Sequence, residues 1–303
     1  MSQPPDAPRE ASPPSAADIP RRVALMRGWL EARLAPEQWD WLQAQVEEVA
    51  SGRKSSALST AIGIAPRRLG KAELALDAVE ADDAQALVAG LDTRGWSVDQ
   101  AARVLLLLAS FDGDEAAFAQ RLEGLLRSGE IGEHIALYRG LPLYPAPDRL
   151  VPLAGEGIRS AVQPVFEAVA HNSPFPARHF SEAMWNQMVV KALFIDSRLA
   201  PIQALDERRN ADLAHMLVDY AHERRAAHRS VSPELWRCVG PFAADDYFDD
   251  LVKVFRSGSP AERKAAGLAL SECPTPRALT VLETAPVLWR DIRRGRLTWD
   301  HIA

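Results

Sequence analysis

Two groups of residues in the second half of the chain are of types and spacings that could do chemistry. The first centres on Lys191, which stands four residues after Gln187 in Ser181–Phe194, SEAMWNQMVVKALF. Read as a helix, this segment puts both polar residues on one face. Trp185, Met188, Val189, Val190, Ala192, Leu193 and Phe194 take up most of the remaining circumference, the pattern of a buried helix. An ammonium desolvated there has a lowered pKa and can act as a base or a Schiff-base amine. A structural ion pair with Asp206 or Asp219 would satisfy it equally well. In a third use, Lys191, Arg159, Arg208, Arg224 and Asn186 hold a polar or anionic metabolite, since Arg and Lys suit phosphate and carboxylate. With Glu156, Asp206, Glu207, Asp219 and Glu223 in the flanking segments, the expectation is a polar pocket around Lys191 inside a helical body.

The second group is His215, Asp219, His222 and Glu223, spaced i, i+4, i+7 and i+8, so that Asp219 can reach both histidines. Such a face could ligate a metal or move protons. It is also what a solvated face looks like, because Leu213, Met216, Leu217 and Tyr220 form the core stripe roughly opposite. One helix supplies only part of a metal shell, and Glu133-His134 is the only candidate for a second half, so no metal is assigned. The catalytic candidates are Lys191, Asp219, His222 and Glu223. The binding candidates are Glu156, Arg159, Asn186, Gln187, Lys191, Asp206, Arg208, Asp219, His222, Glu223 and Arg224. The chain contains no GxGxxG, GxxxxGK[ST], HExxH or GxSxG, which disfavours dinucleotide, NTP, zincin and α/β-hydrolase chemistry, and no cofactor is expected.

The elements that must position these groups read as helix after helix. Val23, Met26, Trp29, Leu30 and Leu34 form a first stripe, and Pro36 opens a second helix with Trp39, Leu42 and Val46. Ser97-Val98-Asp99-Gln100 has capping-box spacing ahead of a helix whose centre, VLLLLA, is apolar on every side. Gly155–His171 continues the helical pattern with a kink expected at Pro164, and Leu205–Asn210 is read as opening a long helix to about Arg229. Ser259-Pro260-Ala261-Glu262 repeats the capping-box spacing in a helical hairpin formed by 249–255 and 259–272. No stretch alternates β-branched residues with period two, so no sheet is expected. The fold class is therefore all-α, an irregular array of helix hairpins that resembles HEAT-type or α-solenoid units. Residues 1–20 read as a disordered Pro, Ala and Ser-rich tail. The Pro-rich LPLYPAPDRL from Leu141 divides a helical subdomain at 21–145 from a site-bearing one at 146–303, both parts of one continuous helical body.

Composition narrows the function classes. The 303 residues are 47% hydrophobic and 25% charged, an ordinary globular balance. The net charge of −6 argues against a sequence-independent nucleic-acid binder. Cys238 and Cys273 stand alone, outside any disulfide or zinc spacing. The longest apolar run, Val104–Ala109, is far short of the ~20 residues a membrane span needs, so no direct insertion is expected. The N-terminus lacks the basic start and apolar core of a secretory signal, which points to the cytoplasm.

Several strings, taken together, resemble the EboA family: EGIRS from Glu156, NSPFPARHF from Asn172, AMWNQMVVKALF from Ala183, LDERRN from Leu205, DYAHERRAAHR from Asp219 and SPELWRCVGPF from Ser232. PRRLGK from Pro66, WSVDQAAR from Trp96 and ALYRGLPLYP from Ala136 add to the likeness. The resemblance implies a bacterial cytoplasmic helical protein of secondary metabolism. Such a protein would handle or traffic a small polar intermediate without transforming it, beside other enzymes of its gene cluster that include a membrane prenyltransferase. It brings no catalytic residues with it. The alternative is an enzyme doing acid/base chemistry on a polyol or prenylated intermediate through Asp219, His222, Glu223 and Lys191.

Overall fold

A computed structural model describes residues 18–244 and 246–302, and among them all regular structure is helical, with seventeen α-helices and no strand. Nearly all of the expected tail lies outside the described residues, and Ile19 already belongs to the first helix. The chain divides into two units, one ending at His179 and the other beginning at Phe180.

The first unit contains α1 (Ile19–Glu31), α2 (Pro36–Ala50), α3 (Ala57–Leu69), α4 (Ala78–Leu87), α5 (Val98–Ala109), α6 (Glu115–Ser128), α7 (Ile131–Arg139), α8 (Pro147–Arg159), α9 (Gln163–Ala170) and α10 (Phe175–His179). Its centre is α5, which packs against α1, α2, α3 and α7. Val104 to Leu108 are at most 1% exposed, as the all-round apolar sequence requires, and each leucine buried contributes about 1.5–3 kcal/mol. A helix covered from four sides is the centre of a globule. The solenoid-like stacking expected from the hairpins would instead leave each pair touching only its neighbours in sequence.

The start of α5 is held by an isolated antiparallel bridge, in which Leu74 N–H donates to Trp96 O at 2.8 Å and Val98 N–H to Ala72 O at 2.9 Å. Of the capping box, the return half forms: Ser97 N–H donates to Gln100 Oε1 at 3.2 Å. The Ser97 hydroxyl turns to Asp99 instead, which in turn pairs with Arg103 at 3.2 Å, both side chains buried. Arg103 also donates to Ile62 O and Gly132 O at 3.0 Å, so one guanidinium ties α3 and the start of α7 to α5.

The Pro-rich stretch is not a boundary. Leu141 to Leu143 form a 3-10 turn, and these residues with Tyr144 are buried in the first unit, where Arg22 donates to Leu143 O at 2.8 Å. The kink expected at Pro164 is a full break: α8 ends at Arg159, and α9 restarts with Pro164 in its first turn, where a missing N–H costs nothing.

The second unit contains α11 (Glu182–Phe194), α12 (Ala211–Ala226), α13 (Trp236–Val239), α14 (Asp246–Ser257), α15 (Pro260–Ser271), α16 (Arg277–Glu283) and α17 (Pro286–Arg293). The expected hairpin is present as α14 and α15, and α15 is the hub that also meets α13, α16 and α17. Its capping box forms in both directions, Ser259 N–H to Glu262 Oε2 at 2.8 Å and Glu262 N–H to Ser259 Oγ at 3.3 Å. The helix expected to open at Leu205 starts six residues later. Residues 205–208 are turn, and Asn210 caps α12 by accepting from Leu213 N–H at 2.8 Å.

Candidate functional site

The interior pocket expected around Lys191 is not built. Trp185, Met188, Val189, Ala192 and Leu193 are buried along one face of α11, but the other face is open: Phe194 is 65% exposed and Gln187 is exposed. Lys191 is half-buried, and its Nζ lies 5.6 Å from the centre of the exposed Phe194 ring, with no ion pair among the described residues. The apolar circumference is explained by one face of the helix packing while the other, with Gln187 and Phe194, stands in solvent. An ammonium that keeps contact with water needs no buried counter-charge.

The other sequence-derived candidates satisfy one another locally. Asn186 and Asn210 exchange side-chain amide bonds at 3.1 and 2.9 Å, which docks α11 onto the cap of α12. Arg208 lies 4.6 Å over the Trp185 ring and donates to Phe180 O at 3.0 Å. Asp206 receives a bidentate bond from Arg237, both contacts at 2.8 Å, and that hydrogen bond first, then Coulomb attraction to Arg237 and Arg209, holds its carboxyl below the ordinary range despite burial. Arg209 links the pair to Glu272 at 2.6 Å. This is a closed structural network. Glu156 and Arg159 belong to the first unit, where they pair with each other on an exposed face.

The histidine face of α12 is solvated. His215 and Asp219 approach to 3.5 Å with both side chains more than 60% exposed, and His222 pairs not with Asp219 but with Asp250 of α14 at 2.9 Å. Glu223 is exposed, and Arg224 donates to Ser230 O at 2.9 Å. Among the described residues no group of three His, Cys, Asp or Glu is placed to hold a metal ion.

The first unit contains a recess that the sequence reading missed. Its walls are the turn Asp92–Trp96, Gln100 of α5, Ile135 and Arg139 of α7, the solvent side of α9 (Pro164, Glu167, Ala168) and the turn His171–Ser173, and its volume is about 270 Å³. Most of these groups are polar. That volume lies at the lower end of the ~300–1,000 Å³ usual for ligand clefts, a size for one small metabolite.

Arg139 gives the recess its chemistry. Its Nη1 donates to Gly95 O and to Gln100 Oε1, each at 2.6 Å. Both acceptors are neutral, no ion pair to Arg139 exists among the described residues, and burial alone pulls the guanidinium pKa below its usual value. By contrast, the neighbouring Arg94 is charge-paired with Asp92 at 2.5 Å, which stabilises the cation. A guanidinium with part of its hydration removed and hydrogen-bonded only to neutral oxygens is a candidate contact for an anion, in a recess that Asp92 and Glu167 also line.

The local structure holds this arrangement firmly. Gly95 takes φ +73°, which lets the turn present its carbonyl to Arg139, and Asn172 takes φ +52° in the opposite turn, a conformation that Asn tolerates better than most residues. Buried Ser173 accepts from Phe175 N–H at 3.3 Å and fixes the entry to α10. The only sequence-level signal was that Trp96 and Gln100, Arg139, and Asn172 and Ser173 belong to three of the strings that carry the family resemblance. Nothing in periodicity joins Arg139 to Gln100 across 39 residues.

Searches of the curated proteins and of the solved structures give no match to the chain. Among the described residues no helix is long and apolar enough to cross a membrane. The profile of the family described as metabolite traffic protein EboA matches residues 22–240, well over half of the sequence, so the recess around Arg139 and the α11–α12 pair fall within the match, α14 to α17 lie beyond it, and the chain belongs to the EboA family.

Proposed function

We propose that this protein is a cytoplasmic, non-catalytic binding protein that carries a small, polar, anionic intermediate of secondary metabolism in the Arg139 recess and hands it between enzymes. The family description supports handling of a metabolite. The single observation that carries the site is the partly desolvated Arg139 guanidinium, bonded only to neutral oxygens at the wall of a small polar recess. Arg94, Asn172 and Ser173 line the same recess and supply further polar contacts for hydroxyls. A carboxylate or phosphate would take the place of water against Arg139, with the fork of the guanidinium fixing its orientation.

A second reading keeps the recess and adds chemistry. Glu167 and His171 both line it, and a carboxylate beside an imidazole is a possible acid/base pair for a polyol substrate. The sequence candidates for that reading, Lys191, Asp219, His222 and Glu223, are each half or fully exposed, and His222 pairs with Asp250.

Calorimetry with myo-inositol 1-phosphate and glucose 6-phosphate as small anionic polyols tests the first reading, together with native mass spectrometry of the protein as purified. Binding or a copurifying anion is expected, with the affinity reduced roughly tenfold or more in Arg139→Gln, the loss of one charge-assisted contact. Unchanged affinity in that variant, or no binding of any anion by the parent protein, overturns the site. Conversion of a bound polyol that is lost in His171→Gln establishes the enzyme instead.

A further inference from the structure

The last α-helix presents a cationic face that the protein's own core does not use. Leu288 and Ile292 of α17 point inward, close enough to Gly267 of α15 that an added Cβ there would lie 3.1 Å from the Leu288 side chain and 3.2 Å from that of Ile292. The rest of the helix turns outward. Arg290, Arg293 and Arg294 are all exposed, as is Arg296 just beyond, and Val287 is 61% exposed beside them. Half-buried Trp289 lies on the opposite flank of the outer face from Val287, with the Arg293 guanidinium 5.8 Å from its ring centre. Arg263 and Lys264 of α15 continue the patch across a groove of about 530 Å³ whose floor is Ala285, Pro286, Val287 and Leu288.

Carboxylates do not cancel this charge. Asp291 is the one acid in the groove and approaches Arg290 only to 3.8 Å, and Glu283 lines a second recess with Trp289, Arg290, Arg293 and Arg294, with no ion pair to them among the described residues. Six cations against two acids form a local positive field on a chain of net charge −6. With a screening length of about 8–10 Å at physiological salt, an approaching surface feels the patch rather than the net charge.

We propose that α17 docks on an anionic lipid surface, lying in the headgroup plane with Arg290, Arg293, Arg294 and Arg296 on the lipid phosphates and Val287 and Trp289 on the two flanks of that face, among the headgroups. A surface helix with arginines on its outer face and an exposed apolar edge has the composition of interfacial membrane helices. Arginines alone would fit RNA equally well. The exposed Val287 and the apolar groove floor select lipid, because a nucleic-acid backbone gains nothing from them and the overall negative charge opposes a long polyanion. Docking by this helix is peripheral and requires no spanning segment. It places the first unit's recess on a protein tethered at the membrane, and it stands on α17 alone, independently of whether the recess binds an anion.

Vesicle co-sedimentation of the full chain tests the proposal, with phosphatidylcholine alone and phosphatidylcholine mixed with phosphatidylglycerol. The chain is expected to sediment with the mixed vesicles only, and each of Arg290→Gln, Arg293→Gln and Arg294→Gln to weaken binding roughly fivefold. Because these side chains are exposed, the circular dichroism melt of the triple variant should match the parent. Val287→Asp should weaken vesicle binding without touching the charges. No binding to anionic vesicles, or full binding by the triple variant, overturns the proposal. Binding of single-stranded RNA that the triple variant loses, with no vesicle binding, assigns the patch to nucleic acid and equally overturns it.

Discussion

Arg103→Leu tests whether the buried ion pair at the start of α5 is what docks α7, and with it Arg139. Arg103 is 5% exposed and Asp99 2%, and Arg103 is also the donor for Ile62 O and Gly132 O. Removing the cation leaves a buried carboxylate without its counter-charge, with the Ser97 hydroxyl as its remaining partner, and two carbonyls lose their donor. Removing one partner of a buried pair costs about 3–5 kcal/mol, against the ~1 kcal/mol of an ordinary hydrogen bond. Asp99→Asn in the same background removes the uncompensated charge but not the lost donors, so the double variant should recover about 2 kcal/mol. Urea unfolding of the full chain, followed by tryptophan fluorescence, measures both differences. A loss below about 1 kcal/mol for Arg103→Leu, or a double variant no more stable than the single one, refutes the reasoning.

Other outcomes follow from the same geometry. Asn210→Ala removes both the cap of α12 and the reciprocal bond to Asn186, and is expected to lower stability by about 1–2 kcal/mol in urea unfolding. Lys191→Met should leave stability within about 0.5 kcal/mol of the parent, because the ammonium is half-exposed and unpaired; a larger change would restore a structural role to Lys191. Burial pulls the His179 pKa below 6.5, with exposed Asp148 at 3.7 Å only partly opposing it. The folded state therefore binds fewer protons than the unfolded one in the window just below pH 6.5. Stability should fall as pH drops through that window, and His179→Gln should flatten the slope in thermal melts across it.

How far local sequence determines this protein is shown by three segments. VLLLLA predicts a helix buried on all sides because no rotation about its axis exposes a polar face, and any all-helical packing must then place it at a centre. Ser259 and Glu262 predict a helix start because both capping bonds close within one turn, and they form as spaced. The absence of period-two alternation excludes a sheet for the same reason, since each strand would need a face of its own. In all three the determining contacts lie within four residues, or concern only whether surface is covered.

Tertiary structure decided the rest. The pattern of Ser181–Phe194 states that an apolar surface exists but not how much of it a neighbour covers, and the packed face includes Ala192 and Leu193 while Lys191 is half-buried and Phe194 exposed. His222 chose Asp250 over Asp219 because a side chain of the adjacent helix offered a better line than one on its own helix three residues away. The Arg139 recess joins a turn at 92–96, the first turn of α5, the last of α7 and the break after α9. Each piece is unremarkable alone, and only folding removes water from one guanidinium without supplying a carboxylate. That imbalance is a property of the assembled unit, and it is where the candidate site lies.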